Sequence, residues 1–250
     1  MPHVSVVIIT YNEEANIRAA LESANWAGET VVLDSFSTDK TVEICREYTD
    51  KVYQEAWRGF SGQKARAVSL ASNDWVFVLD SDERFTPELA AEIKRLTASD
   101  PDYDGYRCAR RNHFMGREIK YGGWYPDYSV RLFDRRKGRF GDRAVHEAVV
   151  VDGAAGTLVN PMLHFTYSGV SDYLVRMDRY SSLAADELKK AGRQASATDM
   201  LFRPPLTFIK MFFMKQGFRD GMHGLVIALL YAFYTFSKYA KLWEMEEKKL

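Results

Sequence analysis

The stretch Trp75-Val76-Phe77-Val78-Leu79-Asp80-Ser81-Asp82-Glu83 places five apolar residues directly before a cluster of three acids. A short run of β-branched and aromatic residues bounded by polar ones is typical of a strand buried on both faces, as in a parallel sheet. The acids fall at the carboxyl end of that strand, which is the end where ligands bind in open α/β sheets. The stretch therefore predicts a buried strand with a polar site at its end.

Two apolar runs upstream end in a similar way. Val4–Ile9 leads into Thr10-Tyr11-Asn12-Glu13, and Thr30–Leu33 leads into Asp34. Each run has the length and the β-branched content of a buried strand. Three strands of the same kind therefore end in polar residues.

Helical patterns lie between and after these strands. Glu13–Asn25 has Ile17 and Leu21 on one face, with Asn12 as its expected N-cap. Thr86-Pro87-Glu88 combines a capping residue, a first-turn proline and an early acid, which predicts another helix start. The alternation of strands and helices predicts a parallel sheet covered by helices.

The polar residues at the three strand ends meet at one edge of such a sheet. Asp80 and Asp82 flank one residue, and in an extended segment positions i and i+2 point to the same side. Two such carboxylates can share a divalent cation, or one can bind the cation and the other a ribose. Oxygen ligands of this kind suit Mg²⁺ or Mn²⁺, which bridge protein carboxylates and diphosphate oxygens. A solvated acidic loop is the alternative that the Asp-x-Asp pattern alone leaves open.

The composition limits the classes of function. The 250 residues include 34 Lys and Arg and 34 Asp and Glu, so the formal net charge is zero and no nucleic-acid partner is expected. Cys45 and Cys108 are the only cysteines, and we expect both to be reduced, core-filling thiols in a cytosolic setting.

The middle of the chain, from Tyr103 to Val151, interleaves aromatic residues, glycines and arginines. This pattern predicts short antiparallel strands and long loops, which can build the second half of a cleft. Its arginines suit an anionic acceptor or an ordinary solvated surface. They include Arg110, Arg111, Arg131, Arg135, Arg136 and Arg139.

The last third of the chain is helical in character. Ser171–Lys190 predicts one amphipathic helix, and Arg203-Pro204-Pro205 is expected to break the chain. Gly224–Phe236 is apolar throughout, but its 13 residues are short of the roughly 20 that a spanning helix needs. Flanking Lys and Arg residues and many Tyr and Phe favour a helix in the membrane interface over one packed on the protein or at a dimer interface.

Three motifs in this order and spacing resemble the inverting glycosyltransferases of family 2, which have the GT-A fold. The motifs are Val4–Glu14, Val31–Thr41 and Val76–Glu83. The resemblance implies that Asp80 and Asp82 form the metal motif, with Asp80 also near the donor nucleotide. It places four further residues around that nucleotide, namely Thr10, Tyr11, Glu13 and Asp34.

Two positions of this chain differ from the usual pattern of the family. Lys64 stands sixteen positions before Asp80, where such proteins often carry an arginine, and is expected to contact base or phosphate; a solvated helix residue is the alternative. The second motif of such proteins often begins with two acids and a glycine, whereas this chain has Asp34-Ser35-Phe36. That departure removes one acidic contact to the nucleotide.

The second half is similar to a narrower subgroup, the bacterial lipopolysaccharide inner-core β-1,4-glucosyltransferases. The stretches that carry this similarity are Gly123–Asp127, Val130–Phe133, Val145–Glu147, Gly217–Gly221 and Tyr239–Glu244. With them, the resemblance extends over nearly the whole chain.

An inverting transfer needs one base that deprotonates the acceptor hydroxyl. The resemblance implies that Glu147 is this base, and Asp127 is the second candidate; an ion pair of Glu147 with Arg131 or Arg143 is the structural alternative. His164 follows an apolar strand and is a candidate metal or phosphate ligand.

Trp124 and Tyr125 are candidates for stacking on the apolar face of an acceptor sugar, with ordinary packing around a Gly-rich turn as the alternative. Both residues follow the glycine pair at 122 and 123, where a turn is expected.

Together these features predict an α/β fold of the GT-A, Rossmann-like type, with a mixed but mostly parallel sheet and helices on both faces. We expect a catalytic domain over residues 1–165 and a helical, membrane-interfacial segment over residues 166–250.

The expected reaction is transfer of a hexose, with glucose foremost, from a UDP-sugar to a lipid-linked saccharide such as the lipopolysaccharide inner core. It would use Mg²⁺ or Mn²⁺ at the inner face of the cytoplasmic membrane, where the enzyme is peripheral. Another sugar or nucleotide donor in cell-envelope polysaccharide synthesis remains open, as do a nucleotidyltransferase and a non-catalytic membrane scaffold. The oligomeric state is not predicted.

Overall fold

A computed structural model describes residues 3–99, 101–141 and 149–247 of the chain. Strands and helices alternate through the first hundred residues. The strands are β1 (Val4–Thr10), β2 (Glu29–Asp34), β3 (Val52–Gln54), β4 (Trp75–Asp80) and β5 (Glu83–Arg84), and the helices are α1 (Ile17–Ala24), α2 (Thr41–Arg46), α3 (Phe60–Ser69) and α4 (Pro87–Ala98).

The remaining elements are mostly short strands followed by long helices. The strands are β6 (Gly105–Phe114), β7 (Arg117–Glu118), β8 (Asp127–Asp134), β9 (Gly138–Phe140), β10 (Val149–Val151), β11 (Ala155–Thr157) and β12 (Met162–Tyr167). The helices are α5 (Val170–Lys190), α6 (Ala197–Ile209) and α7 (Met222–Glu247). The predicted change from parallel strands to short strands and then to helices is confirmed.

One mixed sheet carries most of the strands, in the order β3-β2-β1-β4-β8-β6-β12-β5. The four strands from β3 to β4 are parallel, and β8 pairs antiparallel with β4. β7 and β11 each pair with β6, and β9 pairs with β10 apart from the main sheet. The predicted α/β class is confirmed.

Side chains of β1 alternate between the two faces of this sheet, as the pleat of a strand requires. One face packs with α1 and α4 in a core that includes Val6, Ile17 and Leu89. The other face packs with α3 in a core that includes Val7 and Val68. Because β1 is buried on both faces, its sequence is continuously apolar rather than alternating.

The first helix starts later than the sequence predicts. α1 begins at Ile17, and its N-cap position is Asn16, whose side chain makes no capping hydrogen bond. Asn12 instead lies in the left-handed region at φ 52°, and its side-chain oxygen accepts from the Thr38 N–H at 2.8 Å. A tertiary contact therefore takes the side chain that was expected to cap the helix.

The start of α4 agrees with the prediction. Thr86 is the N-cap, and its hydroxyl oxygen accepts from the Leu89 N–H at 3.1 Å. Pro87 occupies the first helical position, where a missing N–H costs no hydrogen bond. Both cysteines are buried free thiols, and burial raises the pKa of each to about 12.

The described contacts divide the chain into two compact units. One comprises Met1–Arg110 with Tyr128–His164, and the other comprises Arg111–Asp127 with Phe165–Leu250. The second unit therefore includes a stretch from the middle of the chain in addition to the C-terminal helices. The division into a catalytic domain over 1–165 and a helical segment over 166–250 stays a prediction.

The prolines of the tail do not break the chain. α6 runs through Pro204 and Pro205, although each proline removes one intrahelical hydrogen bond. Contacts with α7 hold the helix: the Arg203 guanidinium lies 5.1 Å from the Tyr239 ring centroid. The fixed φ of proline is itself compatible with a helix, so packing carries α6 across the pair.

The last helix is twice as long as the apolar run in the sequence. α7 has 26 residues, about 39 Å at 1.5 Å per residue. By length and composition alone it is the one helix of the described chain that qualifies to cross a membrane, with a mean hydropathy of 1.2 over an 18-residue window. The apolar run of 13 residues underestimates the length of α7, because less apolar residues at both ends continue the helix.

Candidate functional site

The three strand ends singled out in the sequence lie side by side. In the parallel ladder, Thr10 of β1 is in register with Asp34 of β2, and Ile9 of β1 is in register with Asp80 of β4. Thr10, Asp34 and Asp80 therefore share one edge of the sheet, as the sequence predicts. This edge is the carboxyl end of the parallel strands, where ligands bind in such folds.

The segment after β1 is tied to the segment after β2. The Asn12 N–H donates to the Ser37 hydroxyl at 2.8 Å, and the Glu13 N–H donates to the Thr41 hydroxyl, also at 2.8 Å. The Glu13 carboxylate accepts from the Asn16 side-chain amide at 2.9 Å. Glu13 thus fixes the local backbone at the edge of the site, and its predicted contact with a nucleotide stays a prediction.

Two aromatic rings flank this edge. Tyr11 and Phe36 are exposed, one after β1 and the other after β2. Phe36 has a φ of 63°, in the left-handed region that favours glycine. The expected glycine of the second motif would adopt this conformation without strain, and this chain places an exposed aromatic ring there instead.

Asp34 is fully buried and held by three hydrogen bonds. Its carboxylate accepts from the Ser37 N–H at 2.9 Å, from the Ser37 hydroxyl and from the Gln54 side-chain amide at 3.0 Å. A buried carboxylate with fixed partners is a rigid acceptor. This arrangement fits the predicted place of Asp34 beside a nucleotide.

Two buried polar atoms at this edge have no hydrogen-bond partner. They are the hydroxyl oxygen of Thr10 and the side-chain carbonyl oxygen of Gln63. Both residues adjoin Ser35: its N–H donates to the Thr10 carbonyl at 2.9 Å, and its hydroxyl accepts from the Gln63 amide at 3.2 Å. Buried polar atoms are rarely left unpaired, so a polar ligand or an ordered water can pair with these two.

Lys64 lies inside the site. It is buried, and its Nζ lies 2.8 Å from an Asp80 oxygen, while an Arg131 nitrogen lies 2.9 Å from the other oxygen. The alternative of a solvated helix residue is therefore wrong for Lys64. Burial alone would raise the pKa of Asp80, but the two cations outweigh it and hold this pKa well below its usual range.

Asp80 and Asp82 do not share an extended segment. Ser81 and Asp82 form a turn, and the Asp80 N–H donates to the Glu83 carboxylate at 2.9 Å across it. The prediction that Asp80 and Asp82 point to the same side of an extended segment is therefore wrong, because a turn replaces the strand directly after Asp80.

Glu83 is fully buried on the far side of that turn. Arg131 contacts it at 2.5 Å, and an Arg110 nitrogen lies 3.8 Å away. Burial and the neighbouring charge of Asp80 raise the pKa of Glu83, against the attraction of Arg131. Asp80, Glu83 and Arg131 thus form a compact network in which one guanidinium bridges two carboxylates.

Asp82 lies beside His164. β5 and β12 pair antiparallel with His164 opposite Glu83, and this ladder brings the His164 Nε2 to 3.6 Å from an Asp82 oxygen. An aspartate oxygen and a histidine nitrogen at this separation suit a divalent cation such as Mn²⁺ or Mg²⁺. The structure thus brings two of the three predicted metal ligands together.

The donor set limits how a cation would be held. Within residues 3–99, 101–141 and 149–247, no three His, Cys, Asp or Glu side chains group as metal ligands. Asp80 is engaged with Lys64 and Arg131, and Asp82 and His164 are the other two predicted ligands, 3.6 Å apart. A cation here would complete its shell with diphosphate oxygens and water, as Mg²⁺ commonly does.

Comparison with known proteins agrees with this geometry. Residues 5–156, more than half of the chain, match the family model described as "Glycosyl transferase family 2".

The chain belongs to glycosyltransferase family 2.

Relatives extend the match to nearly the full length. The family 2 chain is 31% identical to the lipopolysaccharide core biosynthesis glycosyltransferase LpsC of Rhizobium meliloti, over 98% of this chain and 94% of LpsC. It is 32% identical to an uncharacterized glycosyltransferase of Rickettsia typhi, over 99% of this chain and 89% of the relative. The protein is a glycosyltransferase, and this membership favours a transferase over the nucleotidyltransferase and scaffold alternatives.

A solved structure matches the fold. A mannosyltransferase from Pyrobaculum calidifontis, in complex with GDP-Man and Mn²⁺, superposes with a TM-score of 0.50 and 18% identity over 99% of this chain and 87% of that one. At this identity the likeness shows the fold alone, and the predicted GT-A fold is confirmed.

The predicted acceptor residues of this family 2 enzyme belong to the second unit. Trp124 is 6% exposed and packs against Phe114, Tyr167 and Tyr231, with ring centroids 6.1 to 6.3 Å apart. Its ring is thus engaged in packing, which is the alternative to stacking on a sugar. Tyr125 is 40% exposed and keeps a free ring surface.

The structure describes only one of the two candidate bases. Asp127 begins β8, at the end of the second unit's first segment. Glu147 and the neighbouring His146 and Arg143 lie outside the residues that the structure describes. The role of Glu147 therefore rests on the sequence resemblance.

Sequence reasoning missed three residues of the site. Gln63 is adjacent to Lys64 and gave no signal of its own, and Glu83 was counted among the acids without a role. Arg131 was considered for an anionic acceptor, a solvated surface or an ion pair with Glu147, and its place inside the apolar run Val130-Arg131-Leu132-Phe133 was not used. A lone cation within a strand pattern signals a buried charge that needs a partner.

Proposed function

We propose that this family 2 glycosyltransferase moves a hexose, with glucose foremost, from a UDP-sugar to a lipid-linked saccharide, with inversion at the anomeric carbon. The acceptor we propose is the lipopolysaccharide inner core, at the inner face of the cytoplasmic membrane. The observation that carries the proposal is the pairing of Asp82 with His164 at the strand edge that also holds Asp34 and the unpartnered atoms of Thr10 and Gln63.

The comparisons support both the donor and the acceptor of this proposed reaction. LpsC is described as a lipopolysaccharide core biosynthesis enzyme, and its match covers nearly all of both chains. The mannosyltransferase of the same fold was solved with a nucleotide-sugar and Mn²⁺. A nucleotide-sugar donor, a divalent cation and a glycolipid acceptor follow as parts of the proposal.

The side chains at the edge suit a nucleoside diphosphate. We propose that the hydroxyl of Thr10 and the amide oxygen of Gln63 bond base or ribose, with Asp34 as a fixed acceptor beside them. Lys64, held by Asp80 in a buried position, would supply a cation for a phosphate oxygen. Asp82 and His164 would hold the Mg²⁺ or Mn²⁺ ion, and a bound ion stabilises the charge of the departing diphosphate.

The transfer itself needs one proton acceptor. The acceptor hydroxyl oxygen forms a bond to the anomeric carbon while the bond from that carbon to the diphosphate oxygen breaks, through an oxocarbenium-like transition state. The hydroxyl proton passes to a carboxylate, for which we propose Glu147 and keep Asp127 as the second candidate.

Nucleotide selectivity tests the donor. We expect calorimetry to show that the purified chain binds UDP in the presence of Mn²⁺ or Mg²⁺, and that GDP and ADP bind at least about tenfold more weakly, a difference of about 1.4 kcal/mol. EDTA should abolish most of the UDP binding. Selectivity for GDP or ADP would overturn the donor, and absence of binding by every nucleotide would overturn the proposed reaction.

Substitution of the proposed base tests its role separately. We expect Glu147→Gln to lower kcat by about 10²- to 10³-fold, within the range for loss of a general base, while UDP affinity stays unchanged. Asp127→Asn, measured in the same assay, is the matched comparison. Full activity in Glu147→Gln with a large loss in Asp127→Asn would transfer the role to Asp127.

A further inference from the structure

The connection between α6 and α7 is a short, well-bonded turn. A π-helical turn (Lys210–Met214) follows α6, and a 3₁₀ turn (Gly217–Asp220) precedes α7. The Lys215 N–H donates to the Lys210 carbonyl at 2.8 Å, and the Gly221 N–H donates to the Phe218 carbonyl at 3.0 Å. We call residues 210–222 the helical tip.

The helical tip exposes large apolar side chains. Met214 and Met222 are 74% and 69% exposed, and Phe213 and Phe218 are 56% and 51% exposed. Single exposed apolar residues are ordinary on a protein surface, but these four lie within ten consecutive positions and form an apolar patch. Such a patch marks a site of interaction with a protein or a membrane.

The charge around this patch has one sign. Residues 210–222 include three basic residues, Lys210, Lys215 and Arg219, and a single acid, Asp220, although the overall charge of the chain is balanced. Asp220 is buried, so the helical tip presents Lys210, Lys215 and Arg219 without an exposed acid of its own.

The outer side of α7 continues the apolar character. Its exposed residues Met222, Leu229, Phe233, Phe236 and Trp243 recur at intervals of seven, four, three and seven, which places them along one side of the helix. The buried residues of α7 lie on the opposite side; they are Gly224, Ile227, Ala228, Tyr239 and Leu242. α7 thus packs through one apolar side and exposes another.

We propose that the helical tip is a docking surface for an anionic phospholipid bilayer. Its Phe and Met side chains would enter the boundary between headgroups and acyl chains, and Lys210, Lys215 and Arg219 would contact lipid phosphates. An apolar patch edged only by cations fits this partner. A second copy of the chain fits less well, because a symmetric contact would bring the same cations together.

The helical tip is also tied to the loop that carries the predicted acceptor residues. The Asp220 carboxylate accepts the N–H groups of Lys120 and Tyr121 at 3.4 and 2.8 Å, and the Lys215 carbonyl accepts the Gly122 N–H at 2.9 Å. Docking of the helical tip would therefore hold the loop leading to Tyr125 at the bilayer. This consequence, unlike the docking itself, rests on the proposed lipid-linked acceptor.

Vesicle binding by the full chain tests the docking. We expect co-sedimentation with phosphatidylcholine vesicles that contain phosphatidylglycerol, and weaker binding to phosphatidylcholine alone. Lys210→Gln/Lys215→Gln should lower the partition coefficient on anionic vesicles about 25-fold, since each lysine near an anionic surface contributes about fivefold. Met214→Ser/Met222→Ser should lower it about tenfold or more through lost apolar burial.

Val175→Ser is the matched control, because Val175 is an equally exposed apolar residue on α5, outside the helical tip. It should bind vesicles like the unsubstituted chain. Equal binding by all variants would overturn the proposal, as would a dimer in solution that Met214→Ser/Met222→Ser dissociates while vesicles are not bound. UDP calorimetry on the same variants separates the two proposals, because unchanged UDP binding with lost vesicle binding concerns the helical tip alone.

Discussion

Replacing Asp82 with alanine is expected to lower kcat by about 10⁴-fold and to weaken UDP binding in the presence of Mn²⁺. A metal ion stabilises the charge on a departing group by several kcal/mol, and about 5 kcal/mol corresponds to four powers of ten in rate. Asp82 is buried, lies 3.6 Å from His164 and is the carboxylate of the proposed cation pair. Its loss removes one of two protein ligands, so the remaining shell cannot hold the cation firmly.

The effect of Asp82→Ala should depend on the cation. UDP binding by the variant should be nearly the same with Mn²⁺ and with EDTA, whereas the unsubstituted chain should bind more tightly with Mn²⁺. Asp152→Ala is the matched control, since Asp152 pairs with Arg139 at the exposed surface. Retention of more than about one tenth of the activity by Asp82→Ala would contradict a metal role, because that loss is only about 1.4 kcal/mol.

His164 allows a second test of the proposed cation site. If Asp82 and His164 hold one cation, the double substitution Asp82→Ala/His164→Ala should cost little more than Asp82→Ala alone. Residues that act through one shared partner show strong non-additivity in such cycles. Additive losses in kcat would place the two side chains in separate tasks.

The edge of the sheet was predictable because local sequence determines it. Val4–Ile9 and Trp75–Leu79 are short, apolar and rich in β-branched or aromatic residues, and this composition specifies buried strands without any knowledge of their neighbours. Once those strands are parallel, the residues that follow them must meet at one edge. The shared location of Thr10, Asp34 and Asp80 could therefore be predicted from the pattern alone.

What the sequence did not show depends on contacts between distant residues. Arg131 reaches Asp80 and Glu83 because β8 pairs antiparallel with β4, with Leu132 opposite Phe77, and no local pattern specifies that register. The turn after Asp80 likewise depends on Glu83, which is held from across the sheet. Asn12 caps no helix for the same reason, since its partner Thr38 is 26 positions away.

The tail shows the opposite error, in which a local rule was applied too strictly. Proline is a helix breaker in isolated peptides, yet Pro204 and Pro205 lie within α6. Packing against α7 outweighs the two lost hydrogen bonds, and the sequence of α6 alone does not reveal this packing. The apolar run of α7 likewise marked a helix without giving its full length.

The second large expected effect is a loss of unfolding free energy when Arg131 is replaced. Its guanidinium bridges the fully buried carboxylate of Glu83 at 2.5 Å and the half-buried carboxylate of Asp80 at 2.9 Å. Removing the cation from a buried ion pair costs about 3–5 kcal/mol, and here Glu83 would keep the more distant Arg110, whose nitrogen lies 3.8 Å away. Since domains of this size are stable by only about 5–15 kcal/mol, Arg131→Met should remove a large share of the stability.

The free energy of unfolding in urea measures this effect, with an unchanged dependence on denaturant confirming that the folded state is compact. Arg131→Met/Glu83→Gln should recover part of the loss, because Glu83 then needs no cation and Asp80 keeps Lys64 at 2.8 Å. Arg131→Lys should fall between the two, since one ammonium replaces a fork that reaches both carboxylates. Arg139→Met, at the exposed pair with Asp152, should unfold like the unsubstituted chain. Unfolding of Arg131→Met at the same urea concentration as this control would show that water already screens the network, and Arg131 would then be a binding residue rather than a structural one.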